Sequence, residues 1–471
     1  MIEPALRRMI HGVLLVAFAG TEVPAWVRAA DGLAGVVLFG SNTPDPQTTA
    51  RLAADLHRAH PRLLVVIDEE GGDVTRIQAV TGSSLPGAAA LGAIDDAELT
   101  QQAGAALGQV LRACGIDMTL APVLDIANNP DNPVIGVRSY SNDAARVARH
   151  GLAFAAGLRQ AGVATCGKHV PGHGDTDVDS HLGLPELALT MAELEQREWV
   201  PFQAAIEAGL DALMTGHLRV PALGPAPASL EPAVAAFVRQ RGFTGAIITD
   251  ALDMGAVSGS GTGGIAATAV QALLAGADLL CLGSPNHIDG NVVTQVVDAI
   301  ADAVHCGRLP LGRLQLAGAR AAAISRPPQT NQQAVTLQAA LSELNRVGAG
   351  VAQRAVSSRG DVQLAPGDGL IDLRERTDEA AGDAVSMLPR LLAAELELQP
   401  GEPPGRRLAV ITRDRGQATE SVLRRRPDAV VIHTGVATAA PRAQNLVFGY
   451  GAGQACAAAI AARCRAGEPT G

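Results

Sequence analysis

A segment of fourteen residues, from Lys168 to His181, concentrates side chains that can transfer protons and bind polar ligands. It reads KHVPGHGDTDVDSH and contains three of the eleven histidines, three aspartates and the only lysine of the 471-residue chain. A compact ammonium group and a planar guanidinium are not interchangeable at a ligand, so a lone lysine among arginines indicates a specific contact. Proline and glycine predict a loop, and a loop rich in titratable groups is a candidate site.

The tripeptide Asp179-Ser180-His181 ends this segment and is suited to acid/base chemistry. In an extended segment, side chains two residues apart point the same way, so the carboxylate of Asp179 can hold the imidazole of His181. Such a contact fixes the tautomer of the histidine and raises its basicity. The alternative is a solvated loop histidine, and the surrounding cluster favours the functional interpretation.

A metal site is the second interpretation of the same cluster. Histidines 169, 173 and 181, together with the aspartates, have the ligand types of a hard or borderline cation. However, His169 and His173 lie in a glycine- and proline-rich loop, which differs from the helical histidine pair of zinc hydrolases, and no glutamate is placed as a base. We therefore expect no metal and no cofactor.

Further candidates lie elsewhere in the chain. Asp250 directly follows a short apolar run, where a rigid strand tip suits a nucleophile; the alternative is a helix N-cap. Asp68 and Arg76 flank two glycines that permit close approach of the backbone to a ligand, although a structural salt bridge would explain them equally well. Arg138 is either a ligand anchor or a loop tether, and its own segment does not decide between the two.

Eight short apolar runs alternate with alanine-rich segments of helical spacing. The runs are residues 13–18, 35–39, 63–67, 118–123, 163–167, 212–215, 246–249 and 278–282. Such alternation predicts βαβ units and a parallel sheet, and eight units match a (β/α)8 TIM barrel of about 250 residues. A doubly wound open sheet is the alternative, but no glycine-rich fingerprint follows the first run.

Polar candidates follow directly after five of the predicted strands. In chain order they are Asp68, Asp125, Lys168 with His169, His217 and Asp250. In a barrel enzyme the carboxyl ends of all strands open on one face, where catalytic groups gather. We therefore expect these side chains to meet at one site.

The chain is long enough for a second domain. Four later apolar runs, at residues 369–373, 408–412, 429–433 and 445–448, predict a small α/β sandwich-like unit. The expected organisation is a catalytic barrel over residues 1–325, a linker over 326–348 and a C-terminal domain over 349–471. The second domain contains no cluster comparable with the fourteen-residue segment.

Composition excludes several functional classes. With 47% hydrophobic and 18% charged residues the chain can bury a sizeable core. The net charge of −10 and the lack of a basic, aromatic-rich tract argue against a nucleic-acid partner. Six scattered cysteines predict buried free thiols.

The N-terminal residues allow two interpretations. Arg7 and Arg8 precede an apolar run and resemble a short secretory signal, but similar runs recur along the chain, so we expect a buried first strand. No apolar run is long enough to span a bilayer. The expectation is a cytoplasmic protein without a membrane partner, as a monomer or homodimer.

Six segments, taken together, resemble glycoside hydrolase family 3, in its β-N-acetylglucosaminidase (NagZ-type) branch. They are GVVLFGSN (35–42), DEEGGDVTR (68–76), APVLDIANNPDNPVIGVRSYS (121–141), KHVPGHGDTDVDSH (168–181), MTGH (214–217) and ITDALDMGA (248–256). The Asp-Ser-His ending is the branch-specific part. In this resemblance the second domain is shorter than usual, and its role is open.

The resemblance implies a role for each candidate residue. Asp250 would be the nucleophile and His181, oriented by Asp179, the general acid/base. The implied substrate contacts are Asp68, Arg76, Arg138, Lys168, His169 and His217. The implied reaction is retaining hydrolysis of a terminal β-linked N-acetylglucosamine through a covalent glycosyl-enzyme.

The expected substrate is a short carbohydrate, either a muropeptide fragment of peptidoglycan or a small chitooligosaccharide. Two tryptophans and two tyrosines are too few for the aromatic platforms that bind polysaccharides. Alternatives are phosphorolysis of the same glycosides, β-glucosidase or xylosidase activity, a metal-dependent barrel hydrolase, and an inactive sugar-binding protein.

Overall fold

Eight parallel strands form the first sheet of the computed structural model, which describes residues 2–180, 182–258, 263–324, 335–374, 381 and 386–465. The strands are β1 (Leu14–Val16), β2 (Gly35–Leu38), β3 (Leu64–Ile67), β4 (Met118–Thr119), β5 (Ala164–Val170), β6 (Ala212–Thr215), β7 (Ala246–Thr249) and β8 (Leu280–Cys281). Their order is β7-β6-β5-β4-β3-β2-β1-β8. A parallel bridge between Ile248 and Leu279 joins the two ends, which confirms the predicted barrel.

Helices surround this barrel. They are α1 (Pro4–His11), α2 (Ala25–Ala29), α3 (Pro46–Ala59), α4 (Ala88–Ile94), α5 (Ala97–Ala113), α6 (Ala144–Gln160), α7 (Met191–Gln196), α8 (Trp199–Glu207), α9 (Pro232–Gln240), α10 (Gly255–Ser258), α11 (Gly264–Ala275), α12 (Gly290–His305) and α13 (Leu311–Ala322). Aspartate side chains cap the first turns of α3, α5, α6 and α12, which satisfies backbone donors at those helix ends. Among the described residues, no helix combines the length and apolar character needed to cross a membrane.

The strands are mainly apolar because both of their faces are buried. Alternate residues, such as Leu15, Val37 and Val66, belong to a cluster with members from all eight strands. Their neighbours in the chain, such as Val36 and Val65, belong instead to the cluster shared with the helices. This two-sided burial explains why the strands could be predicted from short, mainly apolar runs.

A six-stranded sheet forms the second unit, in the order β11-β10-β12-β13-β14-β9. Its elements are α14 (Leu337–Ala355), β9 (Ser357–Arg359), β10 (Gly369–Asp372), α15 (Leu388–Leu396), β11 (Gln399–Pro400), β12 (Leu408–Thr412), α16 (Gln417–Arg425), β13 (Val430–His433), β14 (Asn445–Phe448) and α17 (Gln454–Cys464). Only β9 pairs antiparallel among these described strands. The smaller α/β domain is thus confirmed as a fold.

Helix α14 joins the two units. Leu344, Val347 and Val351 belong to the barrel core, whereas Ala352 belongs to the core of the second sheet. The predicted start of the second domain at residue 349 falls inside this helix, and the domain bounds stay a prediction. Since α14 contributes to both cores, it fixes how the second unit sits on the barrel.

Glycine substitutions in α14 test this packing. A Cβ on Gly348 would lie 1.8 Å from the carbonyl oxygen of Ser84, whereas one on Gly350 would meet nothing within 4 Å. Gly348→Ala should therefore lower the free energy of unfolding by about 1–3 kcal/mol, as overpacking does. Gly350→Ala should raise it by about 0.5–1 kcal/mol, because alanine loses less entropy in a helix. Urea denaturation measures both, and equal effects would contradict the close contact.

Candidate active site

The ammonium group of Lys168 lies at the centre of the site. Its Nζ is 2.6 Å from Oδ1 of Asp68 and 2.7 Å from Oε1 of Glu70. Lys168 lies on β5 and is 2% exposed, while the two carboxylates follow β3. Burial opposes the charge of the ammonium group, but Asp68 and Glu70 outweigh it and raise the pKa of Lys168 above its ordinary value. The lone lysine is therefore a buried, permanently charged group.

Arg138 completes this ion cluster. Its Nε donates to Oε2 of Glu70 at 2.9 Å and its Nη2 to Oε1 at 2.8 Å, while Nη1 donates to the carbonyl oxygen of Val134 at 2.9 Å. Burial disfavours the charged form of Glu70, but Arg138 and Lys168 hold the pKa of its carboxyl well below the usual range. Arg138 thus tethers its own loop and fixes Glu70 at the same time.

Asp125, after β4, organises the next part of the site. Its Oδ1 accepts the backbone N–H groups of His169 at 3.1 Å and His173 at 2.8 Å, and its Oδ2 lies 2.7 Å from Nδ1 of His169. Burial opposes the charge of Asp125, yet the contacts with His169 lower its pKa. Because Nδ1 of His169 is occupied by Asp125, the other ring nitrogen, Nε2, is the atom that can meet a ligand.

His173 stabilises the loop from within. Its Nδ1 lies 2.8 Å from Oγ1 of Thr176 and its Nε2 3.1 Å from Oγ of Ser180. Burial lowers the pKa of His173 to about 4, so the imidazole is neutral near pH 7. The buried Asp179 lies at this end of the loop. His181, the predicted acid/base, lies outside the described residues.

Asp250 stands at the tip of β7 and is half-buried. Its Oδ1 accepts the N–H of Ala251 at 2.8 Å. The carbonyl oxygen of Ala251 lies 2.9 Å from Nε2 of His217, and Nδ1 of His217 lies 2.7 Å from Oγ of Ser229. His217 has no exposed surface. His217 is thereby linked to the residue that follows Asp250, and its role as a substrate contact stays a prediction.

One cavity of about 580 Å³ connects these groups. Six of the predicted site residues line it: Asp68, Arg76, Arg138, Lys168, His169 and Asp250. Ala381 of the second unit also lines this cavity. The second unit thus contributes to its wall, which the sequence did not predict.

Two acidic residues of the site, Glu70 and Asp253, were not predicted as site residues from the sequence. Glu70 stands next but one to Asp68 in an acidic run, which was the available signal. Asp253 also lines the cavity. Its Oδ2 lies 2.8 Å from Nδ1 of His287 and accepts the N–H of Ser284 at 2.9 Å. These partners are about thirty residues apart in sequence, and no local pattern relates them.

Carboxylates of the site form ion pairs or hydrogen bonds with lysine, arginine or histidine side chains. Within the described part of the chain, no group of three or more histidine, cysteine, aspartate or glutamate side chains is arranged to hold a metal ion. Asp68 and Glu70 instead bind cationic side chains, and Asp125 binds His169. The arrangement presents charged and polar atoms to a polar ligand.

Comparisons with known proteins identify relatives of this chain. Residues 9–324 match the model of the glycosyl hydrolase family 3 N terminal domain. The chain is 37% identical over 284 residues to a β-hexosaminidase of Thiobacillus denitrificans, a match that covers 58% of this chain and 78% of that protein.

Two solved structures resemble the whole chain or its barrel. A glycoside hydrolase family 3 β-N-acetylglucosaminidase of Paenibacillus sp. has 29% identity and a TM-score of 0.83, covering 97% of this chain and 95% of that one. Native NagZ of Neisseria gonorrhoeae has 28% identity and a TM-score of 0.58, covering 73% of this chain and 98% of that one. The first of these therefore matches both units.

Replacing Glu70 tests the ion cluster. Glu70→Gln leaves Lys168 and Arg138 charged and buried with one carboxylate fewer, and breaking a buried pair in this way costs about 3–5 kcal/mol. We expect the free energy of unfolding at pH 7, measured by urea denaturation, to fall by that amount. The exposed control Glu22→Gln should stay within about 0.5 kcal/mol of the parent.

The pH dependence of the free energy of unfolding, compared between the parent protein and Glu70→Gln, is a second test of the ion cluster. Because the pKa of Glu70 is depressed in the folded state, its contribution to stability is present above the unfolded carboxyl pKa of about 4.3. It is lost as pH falls towards the folded value. The difference between parent and Glu70→Gln should therefore shrink below about pH 4, and a constant difference would contradict the assignment.

Proposed function

The chain belongs to glycosyl hydrolase family 3 and is a glycoside hydrolase, and from this premise we propose that it is a retaining exo-β-N-acetylglucosaminidase. It releases terminal N-acetylglucosamine from short glycans such as peptidoglycan fragments. The observation that carries the proposal is one cavity lined by Asp250 together with Asp68, Arg138 and Lys168 of the ion cluster. The similarity to a β-hexosaminidase and to a β-N-acetylglucosaminidase supports it.

In this proposal the ion cluster binds the terminal sugar. Asp68, whose side chain is 25% exposed, accepts hydrogen bonds from sugar hydroxyls. Lys168 and His169 donate to hydroxyl oxygens, and Arg76 and Arg138 border the acetamido group. Because Lys168 and Arg138 are already fixed by Glu70, little ordering is needed when the sugar binds.

Asp250 is the proposed nucleophile. Its carboxylate attacks C1 of the sugar while the C1–O bond to the leaving group breaks, and His181 gives its proton to the leaving oxygen. Water, deprotonated by His181, then attacks C1 and releases Asp250. The N–H of Ala251 on Oδ1 fixes the direction of this carboxylate at the rigid tip of β7.

Asp179 orients His181 in this mechanism. The support for Asp179 is its burial at the end of a loop that His173 ties together through Thr176 and Ser180. A neutral His173 can hold both hydroxyl groups without adding a second charge beside the acid/base.

The size of the cavity supports a short substrate. About 580 Å³ lies within the 300–1,000 Å³ of typical small-molecule sites and suits one sugar with a small leaving group. A muropeptide and a chitooligosaccharide both fit this description. A cytoplasmic location and a monomeric or homodimeric state are further parts of the proposal.

A panel of chromogenic substrates tests the activity. The N-acetylglucosaminide should be cleaved in preference to the glucoside and the xyloside, and the product should be the free sugar with or without phosphate. A sugar phosphate as product would instead establish phosphorolysis. Preference for the glucoside, or loss of activity with a chelator, would contradict the proposal.

His181→Ala tests the acid/base assignment. Removing a general acid costs about 10²–10⁴-fold, and we expect such a loss in kcat/KM for natural glycosides. Aryl glycosides with acidic phenols need little protonation and should lose much less. The slope of rate against leaving-group pKa measures this, and equal losses across the series would rule out the role.

Asp250 should carry the covalent intermediate. A fluorinated sugar with a good leaving group slows the second step, so a glycosyl ester should accumulate on Asp250 and appear in mass spectra of the digested protein. Asp250→Ala should form no ester and lose activity. A label on a different residue, or an active alanine variant, would show that the substrate's own acetamido oxygen or another group is the nucleophile.

A further inference from the structure

Glu198 is a buried carboxylate that the mechanism above does not use. It directly precedes α8 and has no exposed surface. Its Oε1 accepts from Nδ2 of Asn128 and from Nε of Arg197, each at 2.7 Å. Its Oε2 is buried and has no hydrogen-bond partner among the described residues. A buried charged oxygen without a donor is costly, so its retention needs an explanation.

The unpartnered oxygen faces the loop of the active site. A Cβ on Gly172 would lie 2.8 Å from Oε2 of Glu198 and 3.0 Å from its Cβ. Gly172 has a φ of 129°, so only glycine fits this backbone. Gly172 lies between His169 and His173, whose placement the site depends on. Glu198 is therefore packed directly beneath the segment that carries the functional groups.

Two hydrogen-bond paths lead from Glu198 into that segment. Arg197 bonds to Glu198 through Nε and to Asp175 of the loop through Nη2. Asn128 belongs to the loop after β4, the same loop that begins with Asp125 and contacts His169 and His173. The charge on Glu198 thus holds the guanidinium that links it to Asp175, and the amide that links it to the β4 loop.

Charged groups from its own element and from two loops act on Glu198. Arg197 lies beside it, Asp125 approaches from the β4 loop and Asp175 from the β5 loop. Burial is the strongest effect, and it disfavours the charged form of Glu198. Asp125 and Asp175 also disfavour the charged form, whereas Arg197 favours it. Together they raise the pKa of Glu198 to about 7, so both protonation states are populated near neutral pH.

We propose that Glu198 is a positioning residue: its ionised carboxylate keeps residues 168–180 in the working arrangement, and its protonation relaxes them. Proton uptake removes the charge that holds Arg197 between Glu198 and Asp175, and a neutral acid is a weaker acceptor for Asn128. The loop is then less firmly fixed, without any change in the groups that touch the sugar. This inference rests on the proposed glycosidase function.

The test compares pH profiles of kcat for an aryl N-acetylglucosaminide. Glu198→Gln keeps the shape of the side chain without its charge. We expect kcat at pH 8 to fall about tenfold, because small misplacements of catalytic groups can cost ~10²-fold, with KM nearly unchanged. At pH 6, where the parent is itself largely protonated at Glu198, the difference should be under about threefold. Glu207→Gln, an exposed change on the same helix, should match the parent at both pH values.

A second variant keeps the test independent of folding defects. Arg197→Gln removes the cation that favours ionisation of Glu198, so the acid limb of the kcat profile should move to higher pH. Arg197 has a side chain 38% exposed, so we expect the variant to fold. Thermal unfolding of each variant at pH 6 and pH 8 checks this directly.

The outcomes separate the two proposals. If the parent is active, two results would overturn the positioning role and leave the glycosidase function intact. One is a Glu198→Gln pH profile parallel to that of the parent, and the other is an acid limb that does not move in Arg197→Gln. A parent protein that cleaves none of the aryl glycosides would overturn the proposed function itself. A loss confined to high pH, together with a shifted limb, is the result that supports Glu198.

Discussion

The buried ammonium group of Lys168 is the constraint on which the rest of the site depends. Its Nζ lies 2.6 Å from Asp68 and 2.7 Å from Glu70, and a compact cation suits this double contact because Arg138 also binds Glu70, through both carboxylate oxygens. Buried charges are tolerated only when they are paired, so the loops after β3 and β4 must both meet the end of β5. This requirement explains why one lysine persists in a chain otherwise supplied with arginine.

The second unit braces the β3 loop that carries the two carboxylates. Asp73, five residues after Asp68, accepts the N–H of Ala452 at 2.7 Å, and Gln454 donates to Ser84 at 3.2 Å. Asp73 is 7% exposed, so this bond is shielded from water and strengthened by its surroundings. The β3 loop is therefore fixed on one side by the barrel and on the other by the second unit, whose Ala381 also lines the cavity.

The sequence predicted the barrel because its signal is local: strands covered on both faces are mainly apolar, as β3 and β7 are. The polar residues after these strands were also found, since strand ends fix their position. What remained hidden depends on partners distant in the chain. The contacts of the His217 ring nitrogens with Ser229 and with the carbonyl oxygen of Ala251 are an example. Which acidic residue after β3 meets Arg138 is likewise decided by tertiary packing.

Three buried carboxylates around the site differ in charge state because they differ in donors. Glu70 has a bidentate guanidinium and an ammonium, and Asp125 has two backbone N–H groups and an imidazole; both have lowered pKa values despite burial. Glu198 has two donors on a single oxygen and, within the described structure, none on the other. The donor count makes the first two permanent charges, whereas Glu198 is the carboxylate of this set whose charge follows the pH of the solution.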